Sequence, residues 1–297
     1  MSSPQTSQRL IVVTGATGKQ GGAVARRLVE RGFRVRAITR DPRKSAASRL
    51  TELGAEVVRG DLDDPASLRA SLDGAYGMFS VQNFWETGYE REVRQGVALA
   101  ELAKDVGVEH FVYSSVGSAH RNTGLSHFES KWRIEERIRA LGLPYTIFRP
   151  VFLMDNWQAP ALRASLLGGT LAQPLDPGRT LQQLSANDIG AFVALAFQDP
   201  ATWRGRELDL AGDELTMQQT AETFGRVIGR PVKYMQLSWE QFSAAAGDEY
   251  ARMYRWFDQT GYEADIPALR KIDPQLMTLE RYLRAHDWEG AAQPAGA

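Results

Sequence analysis

The stretch Leu10-Ile11-Val12-Val13-Thr14-Gly15-Ala16-Thr17-Gly18-Lys19-Gln20-Gly21 decides how the rest of the chain is read. Leu10 to Thr14 is an apolar run ending in glycine, as expected of a strand buried on both faces. Gly15 to Gly21 then form a GxxGxxG element. The amphipathic segment Ala23 to Arg31 follows, with Val24, Leu28 and Val29 on one stripe and Gly32 as its stop. Each glycine answers a physical need: a tight turn with positive φ, close approach of backbone to a diphosphate, and close helix–strand packing. Amides at the helix start then face the diphosphate, aided by the helix dipole. Alone, such a string is weak evidence and can be a mere tight turn; between a strand and a helix it points to a dinucleotide.

Outward from this turn the alternation persists. Val35–Ile38, Glu56–Val58, Tyr76–Val81, His110–Tyr113 and Tyr145–Phe148 read as strands. Helical patterns at Ser48–Leu53, after Pro65, at Val93–Val106 and at Ser126–Leu141 separate them. Single-helix crossovers imply a parallel sheet with helices on both faces. After Arg149-Pro150 the rhythm breaks into helical patterns (Ile189–Phe197, Met217–Ile228, Leu279–Leu283) among short strands such as Glu207–Leu210. The expected fold class is α/β, a doubly wound parallel sheet (residues 9–150) with a smaller C-terminal α+β lobe (residues 151–289) over the sheet's carboxyl edge. No linker precedes that lobe, so it is not expected to fold alone. Residues 1–8 and 290–297 read as tails.

The 297 residues carry 35 basic and 36 acidic side chains, a net charge of -1 that gives no broad attraction to nucleic acid or an anionic membrane. No run approaches the roughly 18–20 apolar residues of a membrane span. The absence of cysteine removes disulfides and thiolate chemistry and fits a reducing, cytoplasmic setting. Four histidines (His110, His120, His127, His286) lack helical metal-ligand spacing, so no metal site is expected.

The tip of the second strand bears on which nucleotide binds. Thr39-Arg40-Asp41-Pro42-Arg43-Lys44 has no acid at the strand end, where an NAD site usually places one. Arg40 and Lys44 suit a 2′-phosphate, so NADP(H) is preferred, with NAD(H) as the alternative. Asp61 and Leu62 after the third strand suit the adenine edge, and Gln82 and Asn83 follow the fourth near the cofactor. With Gly15, Thr17, Gly18, Lys19, Gln20 and Gly21 they form the expected cofactor set.

GATGKQGG (15–22), TRDP (39–42), GDLDD (60–64), YSS (113–115) and Lys131 after His127 resemble the NmrA-like family, an atypical branch of the short-chain dehydrogenases/reductases. RPVFLMDN (149–156), SANDIG (185–190) and YRWFDQTGYEADIPALR (254–270) extend the similarity over most of the chain, closest to an NADPH-sensor-like subgroup. The resemblance implies a Rossmann domain with a small C-terminal lobe, and regulation through protein partners rather than DNA. The superfamily's Tyr-x-x-x-Lys is altered here, because His127 stands four residues before Lys131. A neutral imidazole beside an ammonium is a poor acid. Lys131 is expected at the nicotinamide ribose, the alternative being a surface pair with Glu135 at i+4.

His127 reads more simply as a polar pocket or helix-start residue than as an acid, and Ser114-Ser115 end the fifth strand in an open register. Phe152, Asn156 and Trp157 suit a substrate pocket, with packing as the equal alternative. Asp188 reads as a helix-start carboxylate, Tyr254, Trp256 and Phe257 as core, and Glu90 to Arg94 as a solvated helix start. Two functions compete: a redox-responsive regulatory sensor with weak or no dehydrogenase activity, and an NADPH-dependent reductase of a quinone, aromatic or carbonyl acceptor. The expected partners are a regulatory protein for the first and a small aromatic substrate for the second.

Overall fold

Every residue of Leu10–Val13 is buried, and this run is strand β1. In the computed structural model, which describes residues 8–291, the chain continues through α1 (Lys19–Glu30), β2 (Arg34–Thr39), α2 (Ser45–Glu52), β3 (Glu56–Arg59) and α3 (Pro65–Arg69). Next come β4 (Gly77–Ser80), α4 (Phe84–Asp105), β5 (His110–Ser114), α5 (Ser126–Ala140) and β6 (Tyr145–Pro150). Then follow β7 (Phe152–Leu153), α6 (Pro160–Leu167), β8 (Thr170–Gln173), β9 (Thr180–Leu184), α7 (Ala186–Gln198), α8 (Pro200–Trp203) and β10 (Glu207–Leu210). The remaining elements are β11 (Asp213–Thr216), α9 (Met217–Ile228), β12 (Lys233–Gln236), α10 (Trp239–Ala246), α11 (Asp248–Gln259), α12 (Ile266–Ile272) and α13 (Leu279–Arg284). The expected tail residues 1–7 and 292–297 lie outside the described residues.

A seven-stranded sheet in the order β10-β6-β5-β4-β1-β2-β3 organises the first compact unit. Its pairings from β6 through β3 are parallel. At β10 the amides of Ile147 and Val151 bond to the carbonyls of Arg206 and Leu210, so the pairing advances in the same sense. The strand order reverses between β1 and β4, which opens a crevice at their carboxyl ends, where ligands bind in open α/β sheets. One side of the sheet packs Val12, Met78, Phe111, Tyr113 and Ile147 against Leu99, Ala103, Ile134 and Ile138 of α4 and α5.

Two elements that local pattern assigned to the C-terminal lobe belong to this unit. It comprises the chain up to Pro150 together with Ala186–Asp209, while the second unit is Val151–Ser185 and the chain from Leu210 onward. α7 joins the first because Gly190 leaves no room for a side chain: a Cβ there would lie 2.8 Å from the Ala23 carbonyl oxygen of α1. β10 joins it by extending the sheet beside β6. Helix starts also shift relative to expectation. α1 begins at Lys19 and takes in Gly21 and Gly22, and α4 begins at Phe84, with a non-helical break at Gly88 (φ 70°).

The second unit has a three-stranded sheet (β11-β9-β7) and a two-stranded one (β12-β8). Its core includes Phe152, Trp157, Phe224, Tyr254, Phe257, Tyr282 and Trp288. Thr216 with Gln219, and Ser238 with Gln241, close reciprocal capping boxes at the starts of α9 and α10.

Candidate functional site

The glycine turn is built for close backbone approach. Gly15 has φ +58°, and a Cβ on it would lie 2.8 Å from Val81 Cγ1. A Cβ on Gly21 would meet the Gly15 and Thr14 carbonyl oxygens at 2.3 and 2.5 Å, so α1 can start this near β1 only with glycine there. Gly18 caps α1 without any side-chain hydrogen bond. The start of a twelve-residue helix thus carries no side chain of its own cap residue, and its dipole favours an anion there. Thr14 holds the two strand ends together: its amide donates to Phe79 O (3.0 Å), and its hydroxyl oxygen accepts from the Val81 amide (2.9 Å).

The other expected residues lie in α1's first turn and after the carboxyl ends of β3 and β4. Gln20 accepts a hydrogen bond from the Ser114 hydroxyl at 2.6 Å, tying the first turn of α1 to the end of β5. Beyond β4, Gln82 is 6% exposed; its Nε2 donates to Ser80 Oγ (3.0 Å), while its Oε1 has no protein partner. A buried amide oxygen without a donor is costly, and here it lies at the end of the strand that borders the crevice. Asn83 caps α4, accepting from the Trp85 amide (3.2 Å). Asp61 accepts from the Asp63 amide (3.0 Å), and Leu62 packs against the first unit's core.

The loops after β2 and β3 are both tied to α4. Arg40 pairs with Glu86 at 3.0 Å, Arg43 pairs with Asp41, and Lys44 is exposed at the start of α2. Arg91 grips Asp63 with two nitrogens, and Gln95 adds a further bond at 2.9 Å. The Arg91 hydrogen bond brings the Asp63 carboxyl down to about 2.

Lys131 does not form the surface pair with Glu135. Its Nζ donates to Glu92 Oε1 at 2.8 Å, and the Ser130 hydroxyl donates to Glu92 Oε2. Glu90, Arg91 and Arg94 are exposed as a solvated run requires, but Glu92 among them is fully buried. Glu135 is fully buried too and is taken by Arg139 and Arg149. Those arginines also hold Glu207, whose carboxyl burial would raise but which hydrogen bonding and attraction bring down to about 2. Tyr113, buried in β5, has its hydroxyl raised by burial and by the nearby Glu92 and Glu135.

His127 is 5% exposed, its ring 5.5 Å from Phe84, 5.1 Å from Trp85 and 4.7 Å from Phe128 between centroids. Trp85 is 46% exposed above it. In the second unit Phe152 and Trp157 lie within the core, and Trp157 Nε1 donates to Gln183 Oε1 at 2.8 Å; packing accounts for both. Asn156 lies beside them, half-buried. Asp188 is buried in the first turn of α7. Tyr254 and Phe257 are core, as expected. Among the described residues no three acidic or histidine side chains form a metal-holding group, and no helix is long and apolar enough to cross a membrane.

A doubly wound sheet with a glycine turn at its switch point defines a Rossmann-type α/β protein. The NmrA-like family model matches residues 7–284, and the chain belongs to that family. It is 31% identical over 259 residues to the NmrA-like family domain-containing oxidoreductase hkm9 of Aspergillus hancockii, covering 79% of this chain and 77% of that protein. Among solved structures it resembles the NADPH-dependent quinone oxidoreductase QOR2 of Escherichia coli complexed with NADPH. That match has 26% identity and TM-score 0.79, covering 93% and 99% of the two chains. The negative transcriptional regulator NmrA in complex with NADP shares the fold at 22% identity and TM-score 0.75, covering 95% and 99%.

Proposed function

We propose that this chain binds NADP(H) in the crevice between the ends of β1 and β4 and acts as an NADPH-dependent reductase of a quinone-like or other aromatic acceptor. The glycine turn is the observation that carries the reading: a side chain at Gly21 has no room, and the Gly18 cap leaves a helix start open to a diphosphate. Arg40 and Lys44 serve the 2′-phosphate, and Gln82 Oε1 offers an acceptor to a cofactor hydroxyl or amide. Lys131, with two N–H donors beyond the one given to Glu92, serves the nicotinamide ribose. When bound, NADPH supplies a hydride. The residues supply position and little acid: the tyrosine of the superfamily pattern is His127, packed among Phe84, Trp85 and Phe128. An acceptor whose reduced anion is already stable fits such a site best, and the similarity to a quinone oxidoreductase supports that reading.

Titration with NADPH, NADP⁺, NADH and NAD⁺ by tryptophan fluorescence, followed by NADPH consumption with quinone and azo acceptors, tests this. Tight NADPH binding with turnover that falls strongly in Lys131→Ala is expected. Binding without turnover across the acceptor panel favours the second reading, a redox-responsive regulatory protein. That reading draws on the neutralised Lys131 and the missing tyrosine, and it requires NADPH and NADP⁺ to differ in their effect on a partner protein or on proteolysis.

A further inference from the structure

We infer that Glu92 is a positioning residue for Lys131, and that the two form one neutral hydrogen-bonded unit at the nicotinamide end of the site. The inference rests on the role proposed above for Lys131. In sequence Glu92 sits in the alternating run Glu90-Arg91-Glu92-Val93-Arg94, yet it is the fully buried member of that run. A buried carboxylate persists only when paired and hydrogen-bonded, and both Glu92 oxygens are engaged by consecutive residues of one helix. Ser130 donates to Oε2 and Lys131 to Oε1. The lysine side chain is itself 12% exposed, so its flexible stem is fixed by packing as well as by the ion pair.

The other ionisable groups around this pair leave the assignment intact. Glu135, one turn further along α5, is occupied by Arg139 and Arg149. From β5, Tyr113 feels both carboxylates, and His127 lies one turn before Lys131. Glu92 therefore aims the ammonium and cancels its net charge. Lys131 contributes directed hydrogen bonds to a ligand, whereas the exposed Lys44 supplies positive charge at the opposite end, beside the Arg40–Glu86 pair.

Glu92→Gln separates this from a structural role. The full chain is titrated with NADPH and with 2′,5′-ADP, which lacks the nicotinamide ribose. NADPH affinity is expected to fall about tenfold while 2′,5′-ADP affinity holds within about twofold. In a Lys131→Met background, Glu92→Gln has no further effect on NADPH, because Glu92 acts only through Lys131. Melting temperature falls in Glu92→Gln, which leaves a mostly buried ammonium without its counter-charge, and recovers in Glu92→Gln/Lys131→Met. A soluble double variant beside an insoluble single variant is the same result. Equal weakening of both ligands, no weakening of NADPH, or a double variant no more stable than the single one overturns the inference. If the unaltered protein binds neither ligand, the cofactor reading fails, and the melting comparison still decides whether Glu92 and Lys131 form a unit.

Discussion

Arg40 and Glu86, 3.0 Å apart, join the loop after β2 to the first turn of α4. β2 and β4 flank β1 in the sheet, so this ion pair crosses the carboxyl end of β1, where the glycine turn begins. The guanidinium proposed for the 2′-phosphate already has a carboxylate partner, and both side chains are largely exposed. An exposed pair contributes about 0.2–1 kcal/mol. Glu86→Gln is therefore expected to strengthen NADPH binding by up to about fivefold, with NADH little changed. Arg40→Ala should weaken NADPH selectively. Parallel titrations of the two dinucleotides at low and moderate salt check this, and an unchanged NADPH-to-NADH ratio in both variants would sink it.

Gly21 and Gly18 differ in what they tolerate. The Gly21 Cβ has carbonyl oxygens at 2.3 and 2.5 Å, whereas the Gly18 Cβ would meet Gly15 O at 3.2 Å. Gly21→Ala should destabilise by about 1–3 kcal/mol and abolish NADPH binding. Gly18→Ala should melt near the unaltered protein yet bind NADPH weakly, since it adds a methyl group at the helix start proposed for the diphosphate while meeting only Gly15 O within 4 Å. Thermal melting with NADPH titration distinguishes the two; equal stability of both variants contradicts the packing argument.

His110 gives the stability curve an acid limb. Its Nε2 donates to Thr146 Oγ1 (2.8 Å), because that hydroxyl gives its own proton to Trp203 O (2.7 Å). Burial, followed by the charges of Arg204 and Arg9, lowers its pKa from 6.5 to about 3. The unfolded chain therefore takes up a proton that the folded one refuses. Stability is complete above about pH 6.5 and is lost as pH falls toward about 3, by about 2 kcal/mol at about pH 5. The depressed Asp63 and Glu207 carboxyls act lower, between their ordinary values and about 2. Denaturant titrations at stepped pH should show His110→Gln with a flatter slope above about pH 5, and an identical slope refutes the assignment.

Arg149 anchors a buried ion cluster. It contacts Glu135, Glu207 and Asp209, and lies over Trp132 beside Arg139. Removing one charge from such a cluster strands the others, so Arg149→Met should cost about 3–5 kcal/mol. The ratio of NADPH to NADH affinity should stay the same. Chemical denaturation measures the first and dinucleotide titration the second; a loss below about 1 kcal/mol would mean that water reaches the carboxylates.

The β–α order, the glycine turn and the apolar core stretches were legible because periodicity and backbone requirements are local. Val12 must be buried if its strand carries helices on both faces, and Gly21 is glycine for a clash within seven residues of itself. The fate of Glu92 was not legible, since a charged run looks solvated until its partner is known, and Lys131 lies 39 residues away. Arg40 and Glu86 are separated by 46 residues in the same way. α7 and β10 were assigned to the wrong unit because their patterns specify a helix and a strand without naming the surface that accepts them. The sequence alone determined the strand–turn–helix unit and the sheet it implies. Only the tertiary structure decided which charges are buried together, because desolvation and pairing act between segments that meet only once the chain has folded.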